Sequence, residues 1–467
     1  MPSVSFHTLG CKLNFAETGA VADRFRHREF DVVPFGEASD VVVLNTCTVT
    51  EQADRTCRKI IRRAHRANPD ACVIATGCFA QLRPEQIAAI EGVDYVLGAD
   101  EKFRLFEVVE SFAKRRRTQV CVSCIDDARS FGPAFAAEER TRAFLKVQDG
   151  CDYTCSFCTI PRARGASRSA TVDDVRTQAL RIAERGCREI VLTGVNIGLF
   201  GTDSGTTLLA LLKALDRVDG IERYRISSIE PNLLTDEIID FVAASDRFAS
   251  HFHVPLQSGD DFVLGKMRRR YLSDDYAERV AAIRSRIPDA AIGADVIVGF
   301  PAETPERFEN TVRFLTALDV SYLHVFTYSE RPGTVAVDRL IDAPVDPAQR
   351  PETGLLGGDG ARLPASAVVD INPNAEFKPV PKHERAERNR RLRILSEKKR
   401  SAFYRAQIGT RRTVLWEDSE RGGLLQGWTE NYVRVTAPST VTAPGSIQSG
   451  ILRVDPATGE PTLDVDA

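Results

Sequence analysis

The sequence has no long apolar run. Apolar residues nowhere continue for the roughly 18 positions that a membrane span requires, and Met1 to Gly10 lacks the basic stretch followed by an apolar stretch of a secretory signal. These absences predict a cytoplasmic protein with no membrane partner. In a reducing compartment the eleven cysteines are not expected to form a disulfide framework. Their spacing must therefore separate metal ligands from packing residues.

An excess of charge of one sign is also missing. The chain carries 62 Lys and Arg against 65 Asp and Glu, a net charge of −3 in 467 residues. This excludes a molecule that attracts nucleic acid over its whole surface, so any nucleic-acid site must be a local patch. With 43% apolar and 27% charged residues the chain can bury a sizeable core. Its length predicts roughly two to four domains, and internal repeats are not evident.

Short apolar runs alternate with helical patterns through residues 1–120. This alternation predicts an α/β domain with a parallel sheet and crossover helices. The predicted strands are Val4–Leu9, Asp40–Asn45, Cys72–Gly77 and Tyr95–Gly98, and the predicted helices are Ala16–Arg28, Glu51–Ala67 and Pro84–Ile90.

A segment of little periodicity, 121–139, predicts a linker. The alternation resumes over 140–340, where six β/α units predict an open, partial (β/α)6 barrel. Its predicted strands are Ala143–Val147, Glu189–Thr193, Tyr224–Ser228, His251–Pro255, Ala294–Val298 and Ser321–Phe326.

The composition changes again after residue 340. Residues 341–380 are rich in Pro, Gly and Ala and predict a flexible insertion. Residues 381–412 predict a basic helix, with twelve Lys and Arg against three Glu. Residues 413–467 have short strand-like runs between turn residues and predict a small all-β module.

Three cysteines, Cys151, Cys155 and Cys158, lie within eight residues on a loop after the first predicted barrel strand, with Phe157 directly before the last of them. Such soft thiolates favour iron–sulfur or zinc ligation. They can hold three irons of a [4Fe–4S] cube and leave the fourth iron open to the amino and carboxylate groups of S-adenosylmethionine (SAM). A zinc knuckle without its fourth ligand, or three unrelated buried thiols, are the alternatives.

This motif and its position resemble the methylthiotransferase family of radical SAM enzymes. The resemblance runs from Val4 to the C-terminus, apart from the insertion. It implies a central radical SAM barrel in which Cys151, Cys155 and Cys158 are catalytic, a second [4Fe–4S] cluster in the N-terminal domain and a C-terminal TRAM-like RNA-binding domain. It also implies two uses of SAM. One molecule donates a methyl group to a sulfur, and another is cleaved to a radical that abstracts hydrogen from the substrate.

Three further cysteines, Cys11, Cys47 and Cys78, each directly follow a predicted strand of the N-terminal sheet. The carboxyl ends of parallel strands share one edge, so these thiols are expected to meet there. Gly10 and Gly77 would let the backbone approach a cluster. Spacing alone is weak support, and the second cluster is implied by the resemblance. Cys57 and Cys72 are expected to be packing residues, and a redox or metal role for the pair Cys121 and Cys124 stays open.

The resemblance places SAM contacts at the ends of barrel strands, where such barrels carry their chemistry. Each of these residues could instead be an ordinary strand-end turn. Arg162, Arg164 and Arg168 could bind substrate phosphates or the SAM carboxylate, or could belong to a solvated loop. The predicted SAM contacts are Phe157, Thr193, Gly194, Asn196, Glu230, Gln257, Asp295 and Gly299.

Family members modify either an adenosine in tRNA or an aspartate of a ribosomal protein. The segments Thr8–Lys12, Thr46–Thr50 and Asp149–Asp152 resemble the branch that acts on threonylcarbamoyladenosine at position 37, in the tRNA anticodon loop. Isopentenyladenosine 37 and the ribosomal aspartate remain alternatives, although Arg331 argues against the protein substrate. A non-catalytic RNA-binding iron–sulfur scaffold is a further alternative. The enzyme would need a sulfur donor and an electron donor such as flavodoxin or ferredoxin.

Basic residues upstream of the all-β module could neutralise tRNA phosphates, or could form a solvated helix face. Trp416, Trp428 and Tyr432 could stack on bases, but in so small a module they are expected to be core residues. The basic candidates are Lys398, Lys399, Arg400, Arg405, Arg411 and Arg412.

Overall fold

The computed structural model describes residues 1–128, 131–137, 141–341, 379–420, 422–440, 442–456 and 458–465. Most of the predicted insertion, 342–378, lies outside the described residues. The chain forms two compact units. Unit 1 contains residues 1–153, 158–186 and 190–218, and unit 2 contains 154–157, 187–189 and 219–467. The division therefore falls inside the region predicted as one barrel.

Unit 1 is built on a sheet of six parallel strands in the order β2-β1-β3-β4-β5-β6. Residues of one strand alternate between its two faces. Val42 and Leu44 accordingly enter one core, and Val41 and Val43 enter the other. The predicted parallel N-terminal sheet is confirmed. Its strands are β1 Ser3–Thr8, β2 Asp31–Val33, β3 Val41–Thr46, β4 Cys72–Gly77, β5 Tyr95–Leu97 and β6 Gln119–Cys121.

Helices cover both faces of this sheet. The helix over residues 51–67 begins where Thr50 accepts a hydrogen bond from the backbone N–H of Ala53 (3.2 Å), an ordinary N-cap. It then buries Cys57, Ile61 and Ala64, spaced to share one helix face, in the core with Val42 and Leu44. The helices are α1 Lys12–Arg26, α2 Glu51–Ala67, α3 Cys78–Leu82, α4 Pro84–Ala88 and α5 Leu105–Val108.

The segment predicted as a linker is partly strand. Cys121 completes β6, and β7 pairs antiparallel with β8, so the segment predicted as a linker, 121–139, contains short strands. A strand of three residues is too short to show periodicity in the sequence. The remaining elements of unit 1 are β7 Ala134–Ala136, β8 Arg142–Lys146, β9 Gln148–Asp149, β10 Arg168–Ser169, β11 Glu189–Thr193, α6 Ile160–Arg164, α7 Val172–Glu184 and α8 Leu208–Leu215.

Unit 2 contains the later β/α units. Strands β13, β14 and β15 form a parallel sheet. Each predicted barrel strand is present within three residues of its predicted ends, and the mixed α/β fold class is confirmed. The elements are β12 Arg223–Ile226, α9 Asp236–Ala244, β13 His251–His253, α10 Asp261–Lys266, α11 Ser273–Arg286, β14 Ala291–Val298, α12 Pro305–Ala317, β15 Tyr322–Thr327, a π-helical turn Ala336–Ile341 and α13 Lys382–Gln407.

A closed five-stranded barrel ends the chain, in the order β16-β17-β18-β20-β19. Trp416 is fully buried in its core, so it cannot stack on a base. Two buried arginines anchor the barrel to β12. Arg223 donates to Thr413 and the Trp428 carbonyl, Arg225 donates to the Thr429 and Glu430 carbonyls, and both pair with Glu189. The strands are β16 Arg411–Trp416, β17 Leu424–Thr429, β18 Arg434–Pro438, β19 Ile447–Val454 and β20 Pro461–Val465.

Among the described residues, no helix combines the length and apolar character needed to cross a membrane.

A buried ion network holds unit 1 together. Glu17 of α1 is fully buried and accepts from Arg164 (2.9 Å), Lys146 (3.1 Å) and Lys102 (2.5 Å). Asp149 binds the same Arg164 and Lys146, at 2.9 and 2.6 Å. Burial disfavours the charged form of Glu17, but these three cations hold its pKa well below the usual range. Two buried carboxylates thus pair with three buried cations. Removing either carboxylate would leave buried positive charge uncompensated.

Glu17→Gln should destabilise unit 1 strongly. Removing one partner of a buried ion network typically costs about 3–5 kcal/mol. In a folding unit of the size of unit 1 that lowers the thermal midpoint by roughly 6–20 °C. The depressed pKa of Glu17 means that its stabilisation is complete above the unfolded pKa of about 4.3 and is lost as pH falls. The difference in midpoint should therefore shrink below about pH 4. Glu51→Gln, which removes an exposed pair with Arg55, is the control and should shift the midpoint little. Equal midpoints for the wild type and Glu17→Gln at pH 7 would contradict the argument.

Candidate cluster and cofactor site

The structure brings the three N-terminal cysteines together at the carboxyl edge of the first sheet. Cys11 caps α1 just after β1, Cys47 follows β3, and Cys78 begins α3 just after β4. Burial, together with the nearby Cys78 and Cys11 thiols, raises the pKa of the Cys47 thiol to about 12. Cys47 therefore lies close enough to the other two thiols to interact with them. A thiol held protonated in this way releases its proton when a metal binds.

Two glycines let the backbone pass close to this group, as predicted. At Gly10 (φ +104°) a β-carbon would lie 2.9 Å from Cβ and 3.0 Å from Sγ of Cys47. At Gly77 (φ +94°) it would lie 2.4 Å from Oδ1 of Asn45. Both positions need the left-handed region and the absence of a side chain.

Asn14 ties the cysteine loops to one another. Its Nδ2 donates to the carbonyls of Leu9 (2.8 Å) and Thr46 (3.2 Å), the residues next to Gly10 and Cys47. The Cys57 thiol donates to the Cys47 carbonyl (3.3 Å), so this predicted packing residue also steadies the Cys47 loop. Sequence reasoning did not identify Asn14. Its position three residues after Cys11, just before the predicted helix Ala16–Arg28, was the available signal.

Arg164 joins this edge to the segment after Cys158. It is buried, and it donates to Oδ1 of Asn14 (2.6 Å) as well as to Glu17 and Asp149. Both interpretations of Arg164 from the sequence, a ligand contact and a solvated loop, were therefore wrong. Burial raises the pKa of the Cys78 thiol, and the positive charge of Arg164 opposes that rise. Arg168 donates to the backbone carbonyls of Arg164 and Ala166, and Arg162 is exposed.

Two cysteines of the central motif, Cys151 and Cys158, belong to unit 1. The Tyr153 N–H points at Sγ of Cys151 and the Ile160 N–H at Sγ of Cys158, each at 3.4 Å. The loop is closed by the hydrogen bond from the Cys151 N–H to the Gly165 carbonyl (3.1 Å). N–H groups aimed at sulfur favour the thiolate form and are a recurring feature around iron–sulfur ligands.

The third cysteine of the motif, Cys155, belongs to unit 2. Burial raises the pKa of its thiol, and the nearby Arg269 guanidinium counteracts this. Arg269 donates to Sγ of Cys155 (3.2 Å) and pairs with Glu230. Glu230, a predicted SAM contact, thus has a structural partner of its own. Phe157 packs against the buried cluster that includes Met267 and Phe300. The basic run around Arg269 was the missed signal in the sequence.

The predicted SAM contacts on the second barrel strand differ in character. The Thr193 hydroxyl donates to the Leu145 carbonyl (3.1 Å). Gly194 is explained by Gln148, whose Oε1 would lie 2.8 Å from a β-carbon there and accepts from the Val195 and Asn196 N–H groups. Asn196 is 4% exposed, and neither atom of its side-chain amide finds a partner among the described residues. A buried amide of this kind is costly unless a ligand satisfies it.

The predicted SAM contacts in unit 2 also differ in what surrounds them. Gln257 adopts φ +72°, a strained conformation for a non-glycine residue and one that clusters at functional sites. Oδ1 of Asp295 lies 2.7 Å from Nε2 of His253, a hydrogen-bond distance. Gly299 (φ +81°) faces Arg385, whose Cγ would lie 2.3 Å from a β-carbon. Helix packing, rather than a ligand, therefore accounts for this glycine.

The residues fit the groups that the sequence predicts. The N-terminal thiols share one sheet edge, backbone N–H groups are directed at two sulfurs of the central motif, and Asn196 is an orphaned buried amide within the described part of the chain. Thiolates of this kind suit iron–sulfur clusters, and a buried amide suits a polar ligand such as SAM.

Comparison with known proteins agrees with this chemistry. Residues 3–98 match the family described as uncharacterized protein family UPF0004, and residues 145–315 match the radical SAM superfamily. The chain is 44% identical to the threonylcarbamoyladenosine tRNA methylthiotransferase MtaB of Bacillus subtilis, over 72% of this chain and 75% of that protein. It is 36% identical to the Aquifex aeolicus protein of the same name, over 92% of this chain and 96% of that protein.

A solved structure shares the fold. It is the radical SAM methyltransferase TsrM of Kitasatospora setae, with a TM-score of 0.51 and 17% identity over 72% of this chain and 74% of that one. Sequence identity over most of the chain, with the cysteine motifs in place, is decisive: the chain belongs to the methylthiotransferase family of radical SAM enzymes.

Proposed function

We propose that this enzyme converts N6-threonylcarbamoyladenosine at position 37 of tRNA to its 2-methylthio derivative. The observation that carries the proposal is that the chain is 36% identical, over 92% of its length, to a relative named for that activity. The shared sheet edge of Cys11, Cys47 and Cys78 supports one [4Fe–4S] cluster, and the sequence motif of Cys151, Cys155 and Cys158 supports a second. When bound, the clusters and SAM supply one-electron cleavage of SAM, together with the sulfur and the methyl group that the product gains.

The chain's own residues hold and shield these groups. Asn14 and Cys57 fix the loops of the N-terminal trio. Arg164 places positive charge beside Cys78, and Arg269 does the same beside Cys155, which favours anionic thiolate ligands. A polar group of SAM would satisfy the buried amide of Asn196, which finds no partner among the described residues. The sulfur donor, the electron donor and the cytoplasmic location stay predictions.

Isopentenyladenosine 37 is the second candidate substrate and a ribosomal aspartate the third. The non-catalytic scaffold is disfavoured by membership of an enzyme family whose cysteine motifs this chain retains. Substrate identity can be tested directly in cells.

Deleting the gene should remove the methylthio group from threonylcarbamoyladenosine and leave the unmethylthiolated nucleoside in its place. Nucleoside mass spectrometry of total tRNA measures both species. A plasmid copy of the gene should restore the product, and a copy with Cys155→Ala should not. Loss of the methylthio form of isopentenyladenosine instead would select the second candidate and refute the first.

The two cysteine trios should differ in role. Anaerobically reconstituted enzyme should hold about eight irons, four for each cube. Replacing Cys151, Cys155 and Cys158 by Ala should halve the iron and abolish formation of 5′-deoxyadenosine. Replacing Cys11, Cys47 and Cys78 should also halve the iron, yet leave 5′-deoxyadenosine formation and stop methylthiolation. The matched control is Cys121→Ala with Cys124→Ala, which should retain all the iron. Full iron content in either triple variant would refute the cluster assigned to those three cysteines.

Part of α13 is suited to tRNA phosphates, and part of it is structural. Lys399 donates to the Leu318 carbonyl (2.7 Å) at the end of α12, and Arg412 pairs with Asp289 and Glu430, so neither is available as predicted. Arg393, Lys398, Arg400 and Arg405 are exposed.

Changing Lys398, Arg400 and Arg405 to Gln should raise the tRNA dissociation constant and flatten its salt dependence. The log–log slope should fall by roughly one unit for every phosphate that these side chains neutralise in the wild type. Lys399→Met is the control, and it should lower stability while leaving the slope unchanged. SAM cleavage without tRNA should survive in the triple variant. An unchanged slope there would show that tRNA is held elsewhere.

A further inference from the structure

Three polar side chains on neighbouring strands of unit 2 lie together, and only one of them, Asp295, is a predicted SAM contact. They are His253 on β13, Asp295 on β14 and His324 on β15. Their ligating atoms lie within 4.8 Å of one another. The register explains this, because Asp295 pairs directly with His324, and His253 pairs with Gly293, two residues before Asp295 on the same face. We call these residues the His–Asp–His face.

Helix α13 lies along the edge of β15, beside the His–Asp–His face. Ser396 of α13 bonds both the N–H and the carbonyl of Leu323, each at 2.9 Å, and Leu323 is buried. His324, the next residue, points to the other side of the strand and is exposed. Asp295 lies four residues before Gly299, which follows the carboxyl end of β14. At about 3.3 Å per residue the two are about 13 Å apart.

A divalent metal is one conceivable occupant, but the geometry disfavours it. Nε2 of His253 and Oδ1 of Asp295 are 2.7 Å apart, a hydrogen-bond distance. Ligands on a tetrahedral zinc, each about 2.0–2.1 Å from the ion, would be about 3.3 Å apart. The carboxylate of Asp295 is instead engaged by His253, and the exposed imidazole of His324 is the group that the face presents to solvent.

His324 also lines a groove of positive character. The groove, of about 370 Å³, runs between β15 and α13, and its charged lining residues are Arg393, Arg400 and Glu397. Within the described residues β15 pairs only with β14, and Ser396 and Asn389 of α13 bond its other edge, so the groove runs along an edge that α13 covers in part. An RNA strand bound along α13 would therefore contact this groove, which His324 lines.

We propose that His324, supported by the His253–Asp295 pair, binds the carboxylate of the threonylcarbamoyl group on the target adenosine. Arg393 and Arg400 then bind flanking phosphates. This inference rests on the proposed function and adds how the substrate is selected. An imidazole can donate a charge-assisted hydrogen bond to a carboxylate. An isopentenyl group offers no polar atom, and burying it against this face would leave the polar side chains unsatisfied.

The test measures the binding of holoenzyme to one tRNA in three forms, with threonylcarbamoyladenosine, isopentenyladenosine or unmodified adenosine at position 37. The wild type should prefer the first form over the third by about 10-fold to 100-fold, the range expected for a hydrogen bond to a charged group. In His324→Leu this ratio should fall towards 1, while affinity for unmodified tRNA stays the same. His324→Gln, which keeps a donor, should retain part of the preference.

The control is Arg400→Gln, which should weaken all three complexes by a similar factor and so keep the ratio. Iron content and 5′-deoxyadenosine formation without tRNA report whether each variant is folded and loaded. An unchanged ratio in His324→Leu would overturn the inference. So would an additional stoichiometric divalent metal, detected by mass spectrometry, that is absent from that variant. If the wild type methylthiolates only the isopentenyl form, the proposed function itself fails, which is a distinguishable result.

Discussion

The buried ion network of Glu17, Arg164 and Asp149 is the constraint on which unit 1 depends. A guanidinium without access to water must be fully paired, and Arg164 is paired with two carboxylates and the Asn14 amide. Asn14 in turn fixes the backbone beside Cys11 and Cys47. The loop of the N-terminal trio and the segment that follows Cys158 are therefore held to one another within unit 1 by a geometry that tolerates little drift. Burying these charged groups costs free energy, and the rigidity that results is what a site with fixed ligand positions needs.

The same principle recurs in unit 2 with different residues. Arg269 is buried between Glu230 and the Cys155 thiol, and Arg223 and Arg225 share Glu189 while they anchor the terminal barrel. In each case an arginine satisfies a carboxylate and still has donors left for a sulfur or a backbone carbonyl. The planar fork of five donors makes this double use possible, and lysine could not replace it. Many cations of this nearly neutral chain are committed to such internal pairs, which leaves the exposed basic residues of α13 as a local patch.

The sequence was informative where a local rule decides the structure. The parallel sheet followed from alternation, the six barrel strands from apolar runs, and the position of Cys11, Cys47 and Cys78 from the shared edge of parallel strands. In two strands of the terminal barrel, β17 and β20, Gly427 and Pro461 weaken the strand pattern of the sequence. Long-range partners could not be foreseen. Nothing near Arg164 in the sequence indicates Glu17 or Asn14, and nothing near Gly299 indicates Arg385, because these contacts join residues far apart in the chain.

Glycine and arginine illustrate how one residue type can serve two purposes. A glycine at a strand end suggests a ligand passing close to the backbone, and at Gly10 the neighbour is the thiol of a predicted cluster ligand, Cys47. At Gly299 the same observation has another cause, the side chain of Arg385. Likewise an arginine after a cluster motif suggests an anion-binding residue, yet Arg164 is buried and its donors bond Glu17, Asp149 and Asn14. What distinguishes the cases is whether the protein already satisfies the polar atoms. By that criterion the amide of Asn196, whose atoms find no partner among the described residues, is where a polar ligand should be sought, and the paired groups around it are what keeps it in place.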